Sequence, residues 1–75
     1  MSGEGAQDRV LVNGQPHPLP PGGSLVALLG QLGIGTSTAG VAVAVNDRVV
    51  PRAQWDSVRL AAGDRVEVVR AVQGG

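Results

Sequence analysis

The sequence predicts an α+β fold in which a mixed five-stranded sheet packs on one helix. Three observations carry this. An Asn13-Gly14 pair separates two short extended runs near the start. A leucine stripe at helical spacing follows Ser24. Two further extended runs, Val41–Val45 with its return and Arg65–Val72, bring the strand count to five.

The first strand is read in Arg9-Val-Leu-Val-Asn13. Asn-Gly is the strongest two-residue hairpin signal, because a type I′ turn needs positive φ at both central positions. The return strand, Gln15–Leu19, carries Pro16 and Pro18. Each proline removes a backbone donor, which assigns this strand to a sheet edge. Pro20-Pro-Gly-Gly23 is a turn. Ser24 then offers an N-cap hydroxyl. Leu25, Leu28, Leu29 and Leu32 fall at i, i+3, i+4 and i+7, one apolar stripe on a helix. Gly33 can take the left-handed position that ends it. Gly30 lies inside the helix, where glycine costs about 1 kcal/mol against alanine. Its expected return is close packing on the sheet.

Ile34–Gly40 reads as a loop. Val41-Ala-Val-Ala-Val45 alternates large and small at period two, with the Val face expected on the core and the Ala face beneath something close. Asn46-Asp47 makes a second tight turn, Arg48-Val-Val50 returns, and Pro51 ends the strand. Arg52–Ser57 is expected to be irregular or one turn of helix. Ala61-Ala-Gly-Asp64 is a turn into the last strand. Two hairpins thus flank one helix, and a fifth strand needs a place. Setting it centrally, beside the first strand, buries its valines under the helix. That arrangement is the β-grasp, a ubiquitin-like plan with one layer of sheet and one of helix. The expected organisation is a flexible tail over 1–8, a β-grasp domain over 9–73, and a flexible Gly-Gly tail over 74–75.

Composition narrows the function classes. A chain of 75 residues makes one domain at most. Cysteine is absent, so neither disulfides nor thiolate zinc sites are available. The single histidine, His17, has no second His or Cys to complete a metal site and reads as a surface residue between two prolines. Six basic and six acidic residues give zero formal charge. A nucleic-acid binder should carry a basic stripe, and there is one Trp and no Phe or Tyr for base stacking. No apolar run approaches the roughly 18 residues of a membrane span, and no secretory signal pattern is present. The expectations are no nucleic acid, no membrane, no metal, a cytoplasmic location and a monomer when free. All six basic residues are Arg, so no lysine here could accept an isopeptide bond.

The chain ends in Gly74-Gly75, directly after the most strand-like run. Glycine has no Cβ, so such a stalk can thread a channel closed to side chains. That makes the Gly75 α-carboxylate the candidate reactive group. A carboxylate is a poor acyl donor until it gains a good leaving group. The chain has no GxxxxGK[ST] loop, so activation must come from a partner. Without cysteine, sulfur cannot ride here as a persulfide. Thr36, Ser37 and Thr38 offer hydroxyls without a His–acid pair, and Gly22-Gly23 and Gly33-x-Gly35 read as turns.

Val45-Asn46-Asp47-Arg48-Val49-Val50-Pro51-Arg52, then Trp55, Leu60-Ala61-Ala62-Gly63-Asp64-Arg65-Val66-Glu67 and Ala71-Val72-Gln73-Gly74-Gly75 resemble the ThiS-like sulfur carriers of thiamine biosynthesis. The resemblance covers about Arg9 to Gly75. It implies a carrier, not an enzyme, with no cofactor of its own. A ThiF-like adenylating enzyme would use MgATP to form an acyl-adenylate on Gly75. Sulfur from a sulfur-transfer protein would then displace AMP, and a ThiG-like thiazole synthase would take the sulfur from the thiocarboxylate. Gly74 belongs to the tail. Arg52, Trp55, Arg65, Glu67 and Gln73 are candidate partner contacts.

Each of these has a plainer reading. Trp55 can cap an open end of the core, Arg52 can be a solvated charge or a donor to local carbonyls, and Arg65 and Glu67, with Arg70, can be an exposed stripe on the last strand. The alternatives to the thiamine carrier are the small subunit of molybdopterin synthase, a carrier for another pathway, a protein-conjugating modifier, or a plain interaction module. Ala71-Val72-Gln73 lacks the proline-rich approach of the molybdopterin subunit, and Pro51-Arg52-x-x-Trp55 favours the thiamine branch.

Overall fold

The computed structural model describes residues 8–71. Strands β1 (Arg9–Val12) and β2 (Gln15–Pro18) form the first hairpin. Helix α1 (Leu25–Gln31) follows a short 3-10 turn at Pro21–Gly23. Strands β3 (Val41–Val45) and β4 (Arg48–Val50) form the second hairpin, a 3-10 segment spans Arg52–Ser57, and β5 (Arg65–Arg70) comes last. The sheet order is β2-β1-β5-β3-β4. β5 is central, parallel to β1 and antiparallel to β3. The β-grasp expectation is met, with the proline-bearing β2 at an edge.

Local chemistry explains the elements. Asn13 and Gly14 take φ of 51° and 85°, and Asn46 and Asp47 take 51° and 69°, so both hairpins turn through left-handed pairs. Asp8 lies inside the ordered edge, because its carbonyl accepts the Leu19 N–H at 2.7 Å. The Ser24 hydroxyl accepts the Ala27 N–H at 3.0 Å and caps α1. At the other end Gly33 N–H donates to the Gly30 carbonyl and Ile34 N–H to the Leu29 carbonyl, at 3.0 and 2.8 Å. These are the two bonds of a Schellman stop, and Ile34 is the buried apolar residue that accompanies it.

The core lies between α1 and one sheet face. Val10, Val43 and Val66 supply the sheet side, Leu25, Leu28 and Leu29 the helix side, and Ile34, Trp55 and Leu60 close the ends. Leu32 packs at the margin. Two expectations are corrected. Gly30 is exposed with nothing near the place a Cβ would take, so it faces solvent and not the sheet. The Ala face of β3 is not covered. Ala42 and Ala44 floor a shallow open depression walled by Val49, Glu67 and Val69. One helix can cover only one face of the sheet, and the alanines lie on the other.

Candidate functional site

β5 carries two of the candidate contacts, Arg65 and Glu67. Its residues alternate, with Val66 and Val68 turned to the core and Arg65, Glu67 and Val69 turned to the open face. Val69 and, on β4, Val49 are 63% and 77% exposed. Arg65 reaches Asp47 at 3.0 Å. Both partners are well exposed, so this pair contributes only about 0–1 kcal/mol. Glu67 is exposed in the middle of the same face.

Two asparagines hold β5 from opposite sides. β1 ends at Val12, opposite Val66, and its hairpin then turns away. The next backbone groups of β5 would lose their partners there. The Asn13 carboxamide replaces them: its Oδ1 accepts the Val68 N–H at 2.9 Å and its Nδ2 donates to the Val68 carbonyl at 3.2 Å. One side chain thus extends the ladder as a further strand residue would. On the other side Asn46 Oδ1 accepts the Arg65 N–H at 2.9 Å, and its Nδ2 donates to Asp64 Oδ1 at 3.1 Å. Asp64 Oδ2 in turn accepts the Ala61 N–H at 2.8 Å, closing the turn that feeds β5.

Beyond Arg70, which pairs with Val41, the ladder continues by one rung into the loop 34–40. Ala71 N–H donates to the Gly40 carbonyl at 2.6 Å. Gly40 has φ of 73°, and a Cβ there would stand 3.3 Å from the Ala71 Cβ, so only glycine brings the backbone this close without strain. The loop is itself gripped by Arg52. Nη1 donates to the Thr36 carbonyl and Nη2 to the Thr38 carbonyl, each at 2.6 Å. The guanidinium lies 4.5 Å from the centre of the Trp55 ring, a stacking worth about 0.5–1 kcal/mol at such a site.

Arg52 is therefore a donor to local carbonyls. Trp55 is 1% exposed, and its Nε1 donates to the Val50 carbonyl at 3.0 Å. It is a core residue, and its buried ring has no free face for a partner. Thr38 Oγ1 accepts the Gly35 N–H at 2.9 Å, which gives that hydroxyl a turn-closing role. His17 is half-buried with Nδ1 at 3.2 Å from the Pro18 carbonyl. Among the described residues no group of three or more His, Cys, Asp or Glu comes together to hold a metal, and no helix is long and apolar enough to cross a membrane. Gln73, Gly74 and Gly75 lie outside the described residues. The sequence reading missed Asn13, Asn46 and Gly40 as holders of β5. The Asn-first turns were visible, but what their carboxamides reach depends on strand register.

With this geometry in place, comparison with known proteins decides the family. The ThiS family model matches residues 10–75. The chain belongs to the ThiS family, β-grasp sulfur carriers of thiamine biosynthesis. In structure it is similar to the crystal structure of the thiamine biosynthesis protein ThiS from Geobacter metallireducens, with a TM-score of 0.69, 28% identity, and coverage of 89% of this chain and 99% of that one. In sequence it is 37% identical over 67 residues to a thiazole synthase of Magnetococcus marinus, covering 89% of this chain. The chain spans 20% of that relative's length.

Proposed function

We propose that this ThiS-family chain carries sulfur on the α-carboxylate of Gly75. The observation that carries the reading is the family match over residues 10–75, which takes in Gly74-Gly75. The geometry supports it, because the strand leading to that end is the central one and is held on both sides. A carboxylate oxygen of Gly75 attacks the α-phosphorus of MgATP bound to a ThiF-like adenylating enzyme. The bond to pyrophosphate breaks, and an acyl-adenylate forms. A sulfide sulfur then adds to the carbonyl carbon and AMP leaves with the bonding pair, which gives the thiocarboxylate directly. A persulfide sulfur from a sulfur-transfer protein gives instead an acyl disulfide. A second thiol of the partner must attack its S–S bond, leaving the thiocarboxylate and a disulfide on the partner, because this chain has no cysteine. The resulting thiocarboxylate donates sulfur to a ThiG-like thiazole synthase. The likeness to a protein named thiazole synthase supports that acceptor.

Arg65 and Glu67 are the side chains on the open face best placed to meet the adenylating enzyme. Glu67 lines the apolar depression of Ala42, Ala44, Val49 and Val69, Arg65 lies two residues earlier on the same face, and both share a strand with the route to Gly75.

The test is the intact mass of the chain after incubation with the adenylating enzyme, MgATP and a sulfur source. Exchange of one oxygen for sulfur at the terminal residue is the expected product. Deleting Gly75 should leave the thermal midpoint unchanged and abolish pyrophosphate release. Undiminished release by the shortened chain would refute the assignment.

A further inference from the structure

We propose that Arg52 is a positioning residue, which sets the root of the carrier's reactive end through the loop 34–40. The proposal rests on the reading of Gly75 as the loaded group. Its basis is an unbroken line of contacts. Trp55 is fixed in the core and bonded to Val50. Arg52 stacks on it and grips the carbonyls of Thr36 and Thr38 with the two arms of one guanidinium. The same loop ends at Gly40, whose carbonyl takes the N–H of Ala71, the first residue past β5. Ala71 is four residues from Gly75.

The loop needs such a grip. It has no helix or strand of its own, and the turn between Gly35 and Thr38 is its only other internal tie among the described contacts. Its two ends are secured by Ile34 in the core and by Gly40 on Ala71. The Gly40–Ala71 bond is the outermost described rung of the β3–β5 ladder, next to the Val41–Arg70 pair, so with the middle of the loop free it is the rung that frays first. A planar fork suits two carbonyls spaced two residues apart, whereas a lysine ammonium is a point charge without that fixed geometry. Gly40 must be bare because of its left-handed φ and its approach to the Ala71 Cβ. The Arg52 grip and the Gly40 clasp therefore act on one thing, the direction in which the chain leaves β5. A tail aimed before docking reaches the partner's channel with less ordering left to do.

The experiment uses the full chain in two measurements. Amide hydrogen exchange is followed at Ala71, with Val66 and Val68 as internal references, in wild type, Arg52→Ala, Arg52→Lys and Gly40→Val. Pyrophosphate release by the adenylating enzyme is measured for the same set. In Arg52→Ala, exchange at Ala71 should accelerate about tenfold relative to Val66 and Val68, and kcat should fall about tenfold with KM for the carrier within about twofold, a loss of alignment and not of docking. Arg52→Lys should recover only part of both. Gly40→Val breaks the same link without touching Trp55, and the Arg52→Ala/Gly40→Val double variant should be no worse than the worse single one. A lowered thermal midpoint with kcat and relative Ala71 exchange unchanged would overturn the proposal. A raised KM with unchanged kcat would also overturn it and make Arg52 a direct partner contact. If wild type is not adenylated at all, the carrier chemistry fails, while the Ala71 exchange still decides whether Arg52 controls this root.

Discussion

The two hairpins hold β5 by the same residue type but anchor it differently. In the first, Asn13 is followed by Gly14, and its carboxamide bonds only to β5 backbone at Val68. Its outer strand β2 is capped by two prolines and gives the sheet a blunt edge. In the second, Asn46 is followed by Asp47, and the turn bonds to the start of β5 at Arg65 and Asp64. Its outer strand β4 runs directly into the buried Trp55, whose indole donates back to Val50. The first hairpin therefore supplies ladder, and the second supplies ladder plus a core anchor. A central strand can be held by side-chain amides wherever the neighbouring strand turns away early.

The sharpest way to break this comparison is at the anchor that only the second hairpin has. Trp55→Ala should cost about 3–5 kcal/mol, the range for loss of a buried large aromatic. Chemical denaturation would read the loss, and amide exchange should show β4 opening before β2. Equal loss of protection in both hairpins would remove the distinction.

Asn13→Ala comes next. It deletes two hydrogen bonds to the backbone of one residue of the central strand, Val68, and puts alanine at positive φ. At about 0.5–1.5 kcal/mol per net hydrogen bond, the two bonds come to about 1–3 kcal/mol. The exchange rate at Val68 should rise with it. Unchanged stability would mean that water replaces the carboxamide at no net cost.

Asp47→Gly is the smallest change and has the opposite sign. It relieves a left-handed non-glycine residue but gives up the exposed contact to Arg65. The relief exceeds the value of a surface ion pair, so a gain of up to about 1 kcal/mol is expected from the thermal midpoint. A loss of stability would show that the Arg65 contact counts for more than its exposure suggests.

The elements set by short-range chemistry were legible in the sequence. Asn13-Gly14 announced a turn, Ser24 a cap, the leucines a helix face, and Pro16 and Pro18 an edge. The central place of β5 also followed, because a valine-rich strand must be buried on one side. Contacts that depend on register were not legible. Nothing in the order of residues says that Asn13 meets Val68, 55 positions away. Gly30 and Ala42 were assigned close neighbours because small residues often have them, yet both face outward. Trp55 as sole aromatic fitted either core or surface, and only the packing beside Val50 places it. Of the candidate contacts, Arg65 and Glu67 share the open face of β5, whereas the exposed Arg52 is bonded to its own loop.

The placement of β5 also bears on how the molecule is made. It is the last strand in chain order, yet it joins the two hairpins into one sheet. On a ribosome, each hairpin emerges before the strand that unites them. Long-range pairing of this kind slows folding, so the sheet is completed only after β5 has been synthesised. A carrier interrupted upstream of that point would have two unjoined hairpins and no finished scaffold to present for loading.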